Sequence, residues 1–227
     1  MSTTKTTAND VLLFVPNLIG YFRVLCTLLS LFLMMAYPQL WLLATLLYIA
    51  SFVGDLFDGL VARKLNQTST FGGLLDMVTD RCSTLGLLYV LGGDYSSVDA
   101  SIGFPVFRWT FLSLILLDIS SHWCQMYSTS ALGKHHKSEE GNEGRNFLVR
   151  WFYKYYYFFG YCCVSAEFTY IFAYAIQFTE GLWLHPLLQA GLVVCIPGCI
   201  MKQAVNVMQL QSACYAVAQS DADSKTK

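Results

Sequence analysis

Six stretches of this chain are apolar over about the length needed to cross a lipid bilayer, and nothing else in the sequence restricts the fold so strongly. They cover residues 16–37, 40–62, 72–92, 105–127, 151–177 and 182–210. A hydrocarbon core about 30 Å thick takes roughly 20 residues of α-helix, and a helix satisfies its backbone polar groups within one segment. The expected fold is an all-α integral membrane protein with six transmembrane helices. Charged residues make up 13% of the chain, where soluble domains carry about 25%. Pro16, Pro38, Pro105 and Pro186 stand at or near span entries, where proline is tolerated. Residues 1–220 read as one membrane domain and 221–227 as a disordered tail. The first ten residues are polar and no cleavage site follows a short apolar core, so the first apolar stretch is expected to remain as a span.

Lys and Arg set the expected orientation. Lys5, Arg63 and Lys64, the 128–150 loop with Lys134, Lys137, Arg145 and Arg150, and the tail with Lys225 and Lys227 fall on one side. The loops near 38, 93–104 and 178–185 contain no Lys or Arg. Six spans with both termini in the cytosol fit this alternation, and the sequon Asn66-Gln67-Thr68 then faces the cytosol unused. A net charge of −1 points to no nucleic-acid partner. Nearly all of the eight cysteines lie inside apolar runs without zinc-like spacing and read as reduced, buried small hydrophobes.

Four carboxylates interrupt this apolar pattern. Asp55 and Asp58 sit at i, i+3 near the end of the second segment, and Asp76 and Asp80 at i, i+4 near the start of the third. Each pair shares a helix face, and the short connection makes the two helices antiparallel neighbours. A carboxylate in a bilayer costs about 2.5–3.5 kcal/mol on insertion scales, so four converging on one volume require compensation. Protonation is one route. Divalent cations are the other, and an all-oxygen set suits two ions of Mg²⁺ or Mn²⁺ about 3.5–4 Å apart. Gly54, Gly59, Ala62, Gly72 and Gly73 beside the aspartates permit close helix packing or leave room for a headgroup. Arg63 is placed to meet a phosphate, or simply to mark the cytosolic end of a span.

As one string the region reads Asp55-x₂-Asp58-Gly59-x₂-Ala62-Arg63-x₈-Gly72-x₃-Asp76-x₃-Asp80. It resembles the signature of the CDP-alcohol phosphatidyltransferase family at all eight fixed positions. The resemblance implies a six-helix membrane fold with a cytosol-facing polar active-site cavity, and a homodimer. It implies that the first three aspartates bind metal, and that Asp80 sits at a second metal and accepts a proton. It implies that 59–72 wraps the cytidine diphosphate, with Gly59, Arg63 and Ser69 on positions that contact CDP-diacylglycerol; Ser69 stands where threonine is expected. Further stretches resemble the inositol-using eukaryotic branch of the family: Pro16-Asn17-Leu18-Ile19-Gly20-Tyr21-x-Arg23, Leu65-Asn66-Gln67, Leu75 to Thr84, Asp118-x₂-Ser121-His122-Trp123 and His136-Lys137. The implied reaction joins CDP-diacylglycerol and myo-inositol and releases CMP. The lipid chemistry implies the endoplasmic reticulum.

Other polar residues carry two readings each. Asp118, Ser121, His122 and Gln125 form a stripe that either lines an inositol pocket or serves interhelical hydrogen bonds. His135, His136 and Lys137 either guide an anionic substrate or are solvated. Glu167 calls for a cation such as Arg23 or Lys202. Tyr153, Tyr155, Tyr156, Tyr157 and Tyr161 suggest an interfacial aromatic belt. Two rival functions remain at this level. A sister enzyme would use serine, glycerol phosphate, ethanolamine or choline as acceptor. A cation channel or transporter would use the aspartates as an ion path, although no broken-helix pair recurs in two halves.

Overall fold

A computed structural model describes residues 6–131 and 155–225. All regular structure among them is helical: α1 (Ala8–Leu12), α2 (Val15–Ala36), α3 (Trp41–Lys64), α4 (Thr70–Asp94), α5 (Ser96–Ile102), α6 (Val106–Ala131), α7 (Tyr156–Ala175) and α8 (His185–Lys225), with short 3₁₀ turns at Pro38–Leu40 and Ile176–Phe178. The six long helices fall on the six apolar segments. Four stretches are long and apolar enough to cross a membrane: Val15–Ala36, Pro38–Lys64, Tyr157–Phe178 and His185–Lys225. This is the architecture of an integral membrane protein. At 25 and 26 residues, α4 and α6 also have the length, but each has ionisable residues along it. The described residues group into two units that divide between Val90 and Leu91.

In the first unit, the packing of α2 runs opposite to that of a water-soluble helix. Its buried residues include Asn17, Gly20, Arg23, Thr27 and Ser30, whereas Phe22, Leu25, Leu28 and Phe32 are exposed. A small and polar face turned inward, with large apolar side chains outward, is what a lipid environment selects. The inward face is satisfied by specific bonds. Ser30 Oγ donates to the Ala44 carbonyl at 2.7 Å, Ser51 Oγ to the Arg23 carbonyl at 3.1 Å, and the Thr27 and Ser51 hydroxyls lie 2.8 Å apart. These tie α2 to α3.

The turn between α3 and α4 fixes how the two acidic pairs meet. Asn66 adopts φ 53°, a left-handed conformation that asparagine accepts more readily than most residues. Gln67 N donates to the Ala62 carbonyl at 2.9 Å and Asn66 N to the Arg63 carbonyl at 3.4 Å, closing α3 with a Schellman pair. Three residues later, the Ser69 hydroxyl accepts from Gly72 N at 3.0 Å and caps the start of α4. The Gln67 side chain also accepts from Val15 N at 3.0 Å, anchoring the first turn of α2.

In the second unit, α6 and α7 each pack against α8. Asp99 from α5 is buried and caps α6 from a distance. Its carboxylate accepts from Phe107 N at 2.7 Å and from Arg108 N at 3.0 Å, two donors that the helix start leaves unpaired. Burial pushes the Asp99 carboxyl up, but the Arg108 and Phe107 amides and the Arg108 guanidinium outweigh it and hold its pKa below the ordinary 3.8. Its stabilising effect is therefore complete above that ordinary value and fades as pH falls through the lowered one. Gly103 at φ 76° ends α5.

Two expectations change. First, α8 continues through Asp223 to Lys225, so 221–225 are helical where a tail was expected; Gln219 Nε2 donates to Asp223 Oδ1 at 2.8 Å across one turn. Second, all eight cysteines are free, but Cys82 and Cys214 are exposed rather than buried, because their helix faces are not covered. Of the two cations suggested for Glu167, Arg23 is committed to the aspartates described below; Lys202 Nζ donates to Asn206 Oδ1 at 2.5 Å. Tyr155, Tyr157 and Tyr161 are exposed, and the Tyr161 hydroxyl donates to the Val194 carbonyl at 3.0 Å. His135, His136, Lys137 and Tyr153 lie outside the described residues.

Candidate active site

The i, i+3 and i, i+4 pairs meet as their spacing predicts. Asp55 and Asp58 project from α3, Asp76 and Asp80 from α4, and all four reach one guanidinium. Arg23 Nη2 lies 2.9 Å from Asp55 Oδ1 and 2.6 Å from Asp80 Oδ1; Nη1 lies 2.5 Å from Asp58 Oδ2 and 2.9 Å from Asp76 Oδ1. The remaining donor, Nε, reaches the Ser51 carbonyl at 3.3 Å. The contacts to Ser51, Asp58, Asp76 and Asp80 are hydrogen bonds, and the contact to Asp55 is an ion pair. The Arg23 side chain is only 2% exposed.

The sequence reading missed this placement of Arg23. Its signal was an arginine eight residues into the first apolar helix, too deep to be a topology marker. The helix α3 accommodates the arginine by having no side chain at Gly54, where a Cβ would stand 2.8 Å from Arg23 Cγ. Gly72 plays a similar part against Asn17, whose Oδ1 lies 2.9 Å from the site of a Cβ. Asn17 is buried and donates to the Val11 carbonyl at 2.5 Å. Gly59 and Gly73 are different: beside Gly59 only the Arg63 guanidinium approaches, at 3.5 Å, and beside Gly73 nothing does within 4 Å. The small residues thus divide into a packing pair and an open pair.

Exposure separates the four aspartates. Asp55, Asp76 and Asp80 are 31%, 33% and 34% exposed, and Asp58 only 13%. One ligand atom from each of Asp55, Asp76 and Asp80 lies within 4.8 Å of the others, close enough to share one cation. Asp58 stands apart from that group. The donor set is carboxylate oxygen alone, which fits a hard divalent ion such as Mg²⁺ or Mn²⁺ and gives no preference for zinc or copper. Asp80 Oδ2 faces Arg81 at 3.8 Å, beyond a close contact.

The other candidate residues are distributed as follows. Arg63 is exposed one turn beyond Gly59, with its guanidinium over that glycine. Ser69 is half-buried and holds the cap of α4. In α6, Asp118, Ser121 and Gln125 are buried and His122 half-buried. Ser121 Oγ donates to the Asp118 carbonyl at 3.1 Å, and His122 Nδ1 lies 2.8 Å from the same oxygen and 3.5 Å from Asp118 Oδ1. These bonds run within α6 and favour neither the pocket nor the interhelical reading of the stripe. Gln125 is different: both atoms of its side-chain amide are buried and neither has a partner among the described residues.

Comparison with known proteins agrees with this geometry. The family model described as CDP-alcohol phosphatidyltransferase matches residues 13–180. An Arabidopsis thaliana protein named probable CDP-diacylglycerol–inositol 3-phosphatidyltransferase 2 is 40% identical over 90% of this chain and 89% of its own length. The Saccharomyces cerevisiae CDP-diacylglycerol–inositol 3-phosphatidyltransferase is 36% identical, covering 96% of this chain and 92% of its own. The Homo sapiens protein of the same name is 33% identical, covering 96% and 97%. No solved structure matches the chain. A match through α2, α3, α4 and α6, centred on four carboxylates gathered from two adjoining helices, leaves one conclusion: the chain belongs to the CDP-alcohol phosphatidyltransferase family.

Proposed function

We propose that this protein transfers the phosphatidyl group of CDP-diacylglycerol to myo-inositol, giving phosphatidylinositol and CMP. The observation that carries the reading is the meeting of Asp55, Asp58, Asp76 and Asp80 at one point between α3 and α4. The names of the relatives supply the acceptor.

Asp55, Asp76 and Asp80 hold divalent metal, with Asp58 joining from the more enclosed side, in a site for two ions. When bound, such ions neutralise charge on the phosphate oxygens and on the departing CMP. Arg63, exposed beside the open surface of Gly59, binds the pyrophosphate. The Ser69 hydroxyl accepts from Gly72 N, so its own proton stays available for a phosphate oxygen. Asp80 accepts the proton of the attacking inositol hydroxyl. Its side chain is about one-third exposed, which lets a substrate hydroxyl approach it. The hydroxyl oxygen bonds to the lipid-side phosphorus, and the bond from that phosphorus to the bridging oxygen breaks. CMP leaves as a phosphate whose second pKa is about 6, by analogy with phosphorylated side chains, so no general acid is required.

The acceptor site is assigned to Asp118, Ser121, His122 and Gln125. An unpaired, buried amide is costly unless a ligand meets it, and a polyol offers both donors and acceptors. Replacing Gln125 by leucine should raise the KM for inositol about tenfold and leave the KM for CDP-diacylglycerol unchanged, because one buried hydrogen-bonding group discriminates by 1–2 kcal/mol. Equal KM values in the two proteins would remove Gln125 from the pocket. Six spans, cytosolic termini, residence in the endoplasmic reticulum and a homodimer complete the proposal; the distribution of Lys and Arg supports the first two.

The direct test offers purified protein CDP-diacylglycerol with radiolabelled inositol, serine, glycerol phosphate, ethanolamine and choline in turn. Inositol alone should be incorporated into lipid, with one CMP released per lipid formed. Preference for any other alcohol, or no CMP with all five, refutes the assignment.

A further inference from the structure

Arg23 is tied to the acidic site more completely than a packing residue needs to be. It is buried, it forms ion pairs with all four carboxylates of the family motif, and its Nε donates to the Ser51 carbonyl. Four carboxylates and one guanidinium leave a net charge of −3. Three of the oxygens that touch Arg23 belong to Asp55, Asp76 and Asp80, the residues close enough to share a cation. Each carboxylate has one further oxygen, but a guanidinium and a divalent ion held among the same side chains repel one another.

We propose that Arg23 is a tethered counter-cation of this site, which gathers the four carboxylates and competes with divalent metal for them. Arg23 is a positioning residue on this view. Its contacts draw α2, α3 and α4 onto one centre, so the acidic face persists in lipid before metal arrives. Metal loading gives up part of those contacts. The affinity of the site is accordingly weaker than four carboxylates alone would give, which makes the loading reversible. The inference rests on the metal reading of the aspartates given above.

The test uses the full-length protein purified in detergent at pH 8. Mn²⁺ is titrated in without substrates, free Mn²⁺ is followed by its electron paramagnetic resonance signal, and Tm is measured in EDTA and in saturating Mn²⁺. Arg23→Met removes the charge and keeps an unbranched stem. It should bind Mn²⁺ at least about tenfold more tightly than the wild type, the effect of one charge-assisted contact no longer surrendered. Its Tm should fall below wild type in EDTA and recover in Mn²⁺. Arg23→Lys keeps the charge but has three donors in place of five, and should lie between the two proteins in both measurements. An affinity in Arg23→Met that is unchanged or weaker, or a Tm loss equal in EDTA and Mn²⁺, overturns the proposal. If Arg23→Met folds only with Mn²⁺, that supports it. If it folds in neither, Arg23→Lys decides: tighter Mn²⁺ binding than wild type supports the competition, and equal binding overturns it. Mn²⁺ binding by wild type without any gain in the variants sinks this inference alone. No binding by any of the three sinks the metal reading as well.

Discussion

Asp80→Asn should lower the rate of CMP release at least about 10³-fold, with little change in Tm. A positioned general base contributes about 10²–10⁴, and an asparagine amide cannot take the proton. The same change removes one charge from the trio that shares a cation. Asp80 is the proposed base by its place as the last aspartate of the family motif. It is among the three more exposed aspartates, as a group that meets substrate must be. Asp58 is the contrast: it is the least exposed of the four and stands outside the close trio. Asp58→Asn should lose about 10²-fold and regain part of the rate as Mg²⁺ or Mn²⁺ is raised. Asp80→Asn should regain none. Steady-state CMP release across a metal titration checks both. Near-normal turnover in Asp80→Asn would end its assignment as proton acceptor, and an equal rescue of the two variants would merge their roles.

Stripping divalent ions with EDTA should take CMP release to background, a loss of about 10³-fold or more, and adding Mg²⁺ or Mn²⁺ should restore it. Charge neutralisation at a phosphoryl group is worth several kcal/mol, and none of the aspartates can supply positive charge in its place. The fold should survive the treatment. Arg23 already meets all four carboxylates, so chelation leaves them paired, and the wild-type Tm should move by only a few degrees. Activity and Tm measured on one EDTA-treated sample, before and after metal is returned, give the answer. Full activity in EDTA would remove metal from the mechanism. Activity that does not return with metal, together with a collapsed Tm, would show that the ions hold the fold itself.

The sequence made the helices and the acidic pairs legible for different reasons. The helices came from length: each of six apolar runs became a long helix within a few residues of its expected ends, except where α8 continued to Lys225. The aspartates came from phase, because i, i+3 and i, i+4 spacing fixes which side chains share a face. Arg23 was not legible in the same way. Its carboxylate partners, from Asp55 to Asp80, lie far along the chain on two other helices, and no local period connects them. The rotation of α2 that turns Arg23 inward is set by the row of Asn17, Gly20, Thr27 and Ser30, which reads as helix packing until the partners are seen. Gln125 was singled out as one of four similar residues. Only the hydrogen bonds distinguish it, since Ser121 and His122 both bond the Asp118 carbonyl while the Gln125 amide has no partner among the described residues. The charge on α4 and α6 explains why a hydropathy criterion finds four spans where length suggests six: the residues that give these helices chemistry also lower their apolarity.

The turn at Asn66 and the cap at Ser69 carry a last consequence. An α-helix advances by about 100° per residue, so one residue inserted between Ser69 and Asp76 would swing Asp76 and Asp80 a quarter-turn or more around the axis of α4. Both would then point past the guanidinium while Asp55 and Asp58 still faced it. The number of residues in this corner is thus a fixed gear ratio between two helices, and a deletion there would silence the protein as surely as loss of an aspartate.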